Sequence, residues 1–152
     1  MGNKPYATYL SSSQVFLIKK SKGEVLVLLQ QRRGGWADKL WEAGASGHID
    51  EGESPKDAII HEAKEELCIK LNKKDVEFIT VIYKKSGGET FYNFSFVCKK
   101  WTGTPKVGEP DKIIQIKWFN INKLPANIIP DRKLALNNYL KEIGYSEYTD
   151  KN

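Results

Sequence analysis

The order of elements predicts an α/β domain in which a mixed sheet lies between helices. Three observations carry that reading: strand-like runs on both sides of a helix, a helix start specified in three ways at 54–57, and a second helical stretch near the C-terminus. At 152 residues and 40% hydrophobic, the chain can bury a full core and has the usual size of one domain, expected to span 1–152.

The first strands are expected at 15–19 and 24–30, joined as a hairpin through Ser21, Lys22 and Gly23. Residues 31–38 break the alternation. Arg32, Arg33, Gly34, Gly35 and Trp36 together read as a mobile loop carrying cations and one large ring. Residues 40–46 then lead to the helix. Ser54 can cap it, Pro55 fits its first position, and Asp57 stands where a capping box wants an acid. Ile59, Ile60, Ala63 and Leu67 recur at helical spacing and would pack on a sheet. Glu62 precedes Glu65 by three residues and Glu66 by four, which gathers these carboxylates near one face. Clustered carboxylates repel, so on a partly shielded face they call for a cation, and all-oxygen ligation suits magnesium or manganese. The plainer alternative is a solvated acidic face.

Residues 76–83 read as a strand, Ser86, Gly87 and Gly88 as a turn, and 90–99 as the returning strand. Alternation places Tyr92, Phe94, Phe96 and Cys98 on one face and Phe91, Asn93, Ser95 and Val97 on the other. A sheet covered on both sides accounts for the aromatics. Asn93 stands out, because a polar side chain among rings must find a hydrogen bond, with backbone more readily than with a ligand. A loop at 108–112 precedes a strand at 113–119, Leu124 and Pro125 mark a turn, and 131–143 forms a helix with Leu134, Leu136 and Leu140 as packing candidates. The last nine residues are polar and expected to fray.

The segment from Gly47 to Ile69 resembles the signature of the Nudix hydrolases. Gly47 opens it, Glu53 follows at the family's distance, then Glu62 and Ala63, Glu65 and Glu66, and Ile69 closes it. Two positions depart: His61 stands where the family usually has arginine, and Cys68 where it usually has glycine. The resemblance sharpens the fold to the Nudix α/β/α sandwich. It also implies catalytic metal, Mg2+ or Mn2+, on Glu62, Glu65 and Glu66, with Glu66 the principal ligand and the Gly47 carbonyl joining them. Glu53 would support the site through the position of His61, where an imidazole cannot make the two-pronged carboxylate pair of a guanidinium. At Cys68 a cysteine must fit the turn that glycine usually eases.

Outside that segment, Gly108 to Lys112 resembles a Glu-Pro-acid-Lys stretch in a branch of the family that hydrolyses nucleoside triphosphates. By that likeness Glu109 would contact metal or orient water, against the plainer reading of a loop acid beside proline. Proton acceptance falls to Glu109 or one of the helix glutamates, a choice the sequence leaves open. The substrate-binding candidates are Arg32 and Arg33 for phosphate, with solvated loop arginines the plainer reading, Trp41, more readily a packed core ring than a base-stacking one, and Asn93. The implied reaction splits a nucleoside triphosphate, an oxidised purine among the candidates, into monophosphate and pyrophosphate. ADP-ribose or dinucleotide hydrolysis, isopentenyl diphosphate isomerisation and a non-catalytic nucleotide-binding module are the alternatives.

Charge and cysteine usage bound the setting. The net charge of +5 comes from lysines scattered over turns and strand ends, Lys84 and Lys85 among them, which suits a small anionic ligand better than a stable nucleic-acid partner. Cys68 and Cys98 lack metal or redox-pair spacing and read as reduced core residues of a cytoplasmic protein. No apolar run is long enough to span a membrane, and the N-terminus lacks the apolar stretch of a secretory signal. Exposed aromatic strands would permit a homodimer.

Overall fold

The computed structural model describes residues 5–150. Eight strands, β1 (Leu10–Ser21), β2 (Glu24–Arg32), β3 (Trp41–Ala43), β4 (Ala45–His48), β5 (Val76–Ser86), β6 (Glu89–Cys98), β7 (Ile113–Asn120) and β8 (Tyr145–Thr149), join in one mixed sheet. It carries two helices, α1 (Pro55–Leu67) and α2 (Pro130–Lys141). The long β1 is the hub. Its start pairs antiparallel with β4 and its end with β2 on one edge, while the other edge runs parallel to β6. From β2 the sheet continues to β3 and β7, and from β6 to β5 and β8.

Successive strand residues point to opposite faces, so β1 feeds two cores. Val15 and Leu17 pack with Ile59, Ala63 and Leu67 of α1, and Phe16 and Ile18 with Ala135 and Leu136 of α2. Each fully buried Leu, Ile or Phe stabilises by roughly 1.5–3 kcal/mol, which fixes both helices on the sheet. The result is the α/β/α sandwich that the element order predicts.

α1 begins where the sequence places it. Ser54 Oγ accepts from the Asp57 amide at 3.1 Å, and Asp57 Oδ2 accepts from the Ser54 amide at 3.3 Å, closing a capping box ahead of Pro55. It ends at Cys68, held at φ 59° and ψ 35°, a left-handed turn that costs a side chain on the order of 1 kcal/mol. Cys68 is exposed, unlike Cys98, so the expectation of two core cysteines holds for Cys98 alone.

Two further expectations are corrected. Leu140 is half exposed, and the packing falls to Leu134, Ala135 and Leu136. The polar tail forms β8, parallel to β5 with Tyr145 opposite Val81, and the side chain of Asn138 donates to Ser146 Oγ at 2.9 Å. Backbone bonding at a sheet edge needs no apolar face, which is why the pattern conceals it. Residues 151 and 152 of that tail lie outside the described residues. Among the described residues no helix is long and apolar enough to cross a membrane.

Candidate active site

A cleft of about 930 Å³ runs from α1 at one end to the start of α2 at the other. At the first end Glu62, Glu65 and Glu66 of α1 meet Ser46 and Gly47 of β4. A Cβ at Gly47 would lie 2.5 Å from Cδ of Glu62, so glycine is what lets the strand and the acidic helix come this close. Glu66 Oε1 accepts from Gln30 Nε2 at 2.7 Å and from the Ser46 amide at 3.3 Å. Burial pushes the Glu66 carboxyl up to about 9, helped by a hydrogen bond with the Glu62 carboxyl and opposed by the one from Gln30.

That pair is short of positive charge, and its donors are all oxygen, which fits a hard divalent cation. Among the described residues no three acidic, histidine or cysteine groups converge as a ready-made metal cage. Magnesium does not require one, since one or two carboxylates commonly hold it together with phosphate oxygens and water. Glu65 turns aside to His61, whose Nε2 lies 2.8 Å from its Oε1, while His61 Nδ1 stands 3.8 Å from Glu53. The hydrogen bond and charge of Glu65, with smaller help from Glu62 and Glu53, hold the imidazole pKa above its ordinary value.

A loop completes this end. A Cβ at Gly108 would collide with the backbone carbonyl oxygen of Glu65, and the Gly108 amide donates to the Glu66 carbonyl at 2.9 Å. Glycine therefore allows the loop to seat on the end of α1 and bring Glu109 to the cleft wall, with Lys112 Nζ 3.9 Å from its Oε2.

The opposite end is built from buried ion pairs. Glu42 Oε1 accepts from Arg132 at 2.6 Å (Nε) and 2.5 Å (Nη2), and its Oε2 from Arg32 Nη1 at 2.9 Å. Asp131 Oδ1 accepts from Lys84 Nζ at 3.1 Å, and Oδ2 from Arg132 Nη1 at 2.6 Å and Asn93 Nδ2 at 3.5 Å. Burial works to raise the Asp131 carboxyl, but the charges of Arg132 and Lys84 outweigh it and hold the group below its ordinary value. Arg32, Lys84 and Arg132 against Glu42 and Asp131 leave this end with one positive charge in excess. Trp36, 68% exposed, stands over it, its ring centroid 5.3 Å from Lys84 Nζ and 5.8 Å from Arg32 Cζ. Among the described residues Asn93 Oδ1 and Arg32 Nε find no hydrogen-bond partner, and each such buried group costs roughly 1–3 kcal/mol.

The structure thus brings Gly47, Glu62, Glu65, Glu66, Glu109, Arg32 and Asn93 to one cleft. It leaves out Arg33, whose Nε donates to the Pro110 carbonyl at 3.0 Å, and Trp41, which packs edge-on against Phe119 in the core below α2. Neither lines the cleft, and Trp41 is the packed core ring that the sequence favours over a base-stacking one. Glu53 and His61 lie beside the acidic end without lining it. Asn93 finds a side-chain partner, Asp131, in place of the expected backbone. Sequence reasoning passes over Gln30, Lys84, Asp131 and Arg132. Lys84 reads as one more scattered lysine, yet it is 7% exposed. It falls just past the strand expected at 76–83, and its partner lies 47 residues away.

Comparison with known proteins places this geometry. The NUDIX domain model matches residues 10–139. Among solved structures, a MutT NUDIX hydrolase from Burkholderia pseudomallei is 22% identical over 87% of this chain and 98% of its own, with a TM-score of 0.74. The NUDIX domain of Shewanella oneidensis NrtR, complexed with ADP ribose, is 15% identical over 94% of both chains at a TM-score of 0.73. The C. elegans Ap4A hydrolase is 18% identical over 88% of this chain and 98% of its own at 0.63. At such identities the likeness is one of fold. No curated protein sequence matches the chain.

Proposed function

The chain belongs to the Nudix hydrolase family, and within it we propose that residues 1–152 act as one domain that splits a nucleoside triphosphate into monophosphate and pyrophosphate. Hydrolysis of a nucleotide-linked group is the activity of the family. The observation that carries the finer reading is the cleft's polarity: a carboxylate pair at one end, joined there by Glu109 on the Gly108 loop, and a net cationic floor at the other.

In this reading Glu62 and Glu66, with Glu65 and the Gly47 backbone, hold Mg2+ or Mn2+. The cation, when bound, neutralises the pyrophosphate, lowers the pKa of attacking water and stabilises the departing phosphate. Gln30 orients Glu66 through its amide. Arg32 and Lys112 supply positive charge to the phosphate chain, and Trp36 offers a ring face to the base. One of the cleft glutamates, Glu65 or Glu109 foremost, accepts the proton from water. Glu53 acts through His61 on the orientation of Glu65. The substrate is a free nucleotide, and no stable nucleic-acid partner is required.

The test is hydrolysis by the purified chain with Mg2+ or Mn2+ across nucleoside triphosphates, oxidised purine triphosphates, ADP-ribose, dinucleoside polyphosphates and isopentenyl diphosphate, every product resolved by chromatography. Triphosphate consumed to monophosphate and pyrophosphate is the expected result. Preferential cleavage of ADP-ribose or a dinucleotide keeps the metal chemistry and removes the triphosphate. An allylic isomer identifies an isomerase, and nucleotide binding without turnover a binding module.

A further inference from the structure

Four lysines that read as scattered in the sequence meet at a second concavity, of about 510 Å³, which shares no lining residue with the cleft. Lys56 comes from the first turn of α1, Lys74 from a short helical turn (Lys73–Asp75), and Lys99 and Lys100 from the chain just past β6. The fold forces them together. Val76 opposes Cys98 across the β5 and β6 ladder, which sets the turn before β5 beside the chain that leaves β6. The Cys98 thiol donates to the Lys100 carbonyl at 3.0 Å, and Lys73 Nζ ties the turn to Asp57 Oδ1 of α1 at 3.0 Å. Among the described residues none of the four lysines is paired with a carboxylate. Asp75 and Glu77 also line the hollow, which leaves it two positive charges in excess. Phe78, 47% exposed, stands in its wall, edge-on to the core ring of Phe96 with centroids 5.9 Å apart. Phe78 precedes Lys84 by six residues on β5, so the hollow is roughly 20 Å along the strand from the cationic end of the cleft.

We infer that this hollow binds a condensed phosphate chain, at a site separate from the cleft. Ammonium groups gathered around a concave wall repel one another, and an anion of several charges relieves the field that they focus. A lone phosphate meets one or two such groups, whereas two or three linked phosphates span the set. Lysines act as point charges without the fork of arginine, so the site reads charge and length and not the outline of one group. The carboxylates of Asp75 and Glu77 in the wall disfavour a backbone that continues past it, so the occupant is short and not a nucleic-acid strand. Phe78 adds an exposed ring that a base can cover, which makes a free phosphate chain and a nucleoside triphosphate the two sources of this chemistry. The inference concerns binding outside the cleft and holds whatever the cleft hydrolyses.

The experiment is calorimetric titration of the full chain with tripolyphosphate, orthophosphate, ATP and a single-stranded oligonucleotide, with the contact surface mapped by amide shifts in nuclear magnetic resonance. EDTA throughout withholds metal and keeps every ligand intact. Tripolyphosphate is expected to move the amides of Lys56, Lys74, Lys99 and Lys100 and to bind on the order of tenfold tighter than orthophosphate. Lys74→Gln, Lys99→Gln and Lys100→Gln combined, all at exposed positions, should weaken tripolyphosphate on the order of tenfold. An advantage of ATP over tripolyphosphate assigns the site to a nucleotide, and its absence assigns it to the free chain. No binding, shifts confined to Arg32, Lys84 and Lys112 of the cleft, or an affinity unchanged in the combined variant overturns the inference. So does orthophosphate bound as tightly as tripolyphosphate, or an oligonucleotide bound more tightly at the same lysines. Triphosphates left uncleaved with Mg2+ while the hollow binds tripolyphosphate would remove the hydrolysis reading alone.

Discussion

The two ends of the cleft are made in different ways. The acidic end comes from one stretch of chain: a glycine on β4, a capped helix and three glutamates within 20 residues, where spacing alone dictates proximity. The cationic end is assembled from Arg32, Trp36, Glu42, Lys84, Asn93, Asp131 and Arg132, carried by six different segments and joined by ion pairs as distant in sequence as 90 residues. An acidic cluster can thus reside in a local motif, while a buried ion-pair network is a property of the assembled fold.

If the distant end is one connected network, removing its centre has the largest effect. Arg132→Ala leaves Glu42 and Asp131 buried without their shared cation and should cost about 3–5 kcal/mol in urea denaturation. A loss below about 1 kcal/mol would mean that the pairs act as solvated surface ones. If the near end does the chemistry, Glu66→Gln should lower turnover on the order of 10²-fold or more while circular dichroism stays unchanged. Normal turnover at saturating metal would take Glu66 out of the metal site.

The distant end should also respond to acid. The Asp131 carboxyl is held below its ordinary value, so its stabilising contribution is complete above about pH 4 and is lost as pH falls through the depressed folded value. Denaturation midpoints from pH 6 to pH 2 should therefore fall more steeply for the parent than for Asp131→Asn, and parallel curves would count against the pairing. Smaller effects belong to the departures in the local motif. Cys68→Gly should relieve the left-handed helix exit and stabilise by about 1 kcal/mol or less in thermal melts, and a lower melting temperature would show that the thiol packs favourably. His61→Arg should keep or raise activity by giving Glu53 and Glu65 a forked partner, and an inactive but folded variant would show that the imidazole is required.

What was legible in the sequence follows the same division. The capping box, the apolar stripe of Ile59, Ala63 and Leu67, the hairpins and the acidic face obey local periodicities, and the structure reproduces each of them. β8 was illegible because an edge strand held by backbone bonds leaves no apolar alternation. Lys84 and Arg132 were illegible for a stronger reason. A buried cation looks like a surface one until its carboxylate is found, and only the fold brings Asp131 and Glu42 to them.

The division of labour is tested most directly by steady-state kinetics of triphosphate cleavage at saturating Mg2+, run side by side on the parent, Glu66→Gln and Trp36→Ala. Glu66→Gln is predicted to lose kcat with KM nearly unchanged, and Trp36→Ala to raise KM more than it lowers kcat. Loss of kcat in both to the same degree, or a Glu66→Gln variant altered only in KM, would contradict the assignment of chemistry to one end of the cleft and recognition to the other.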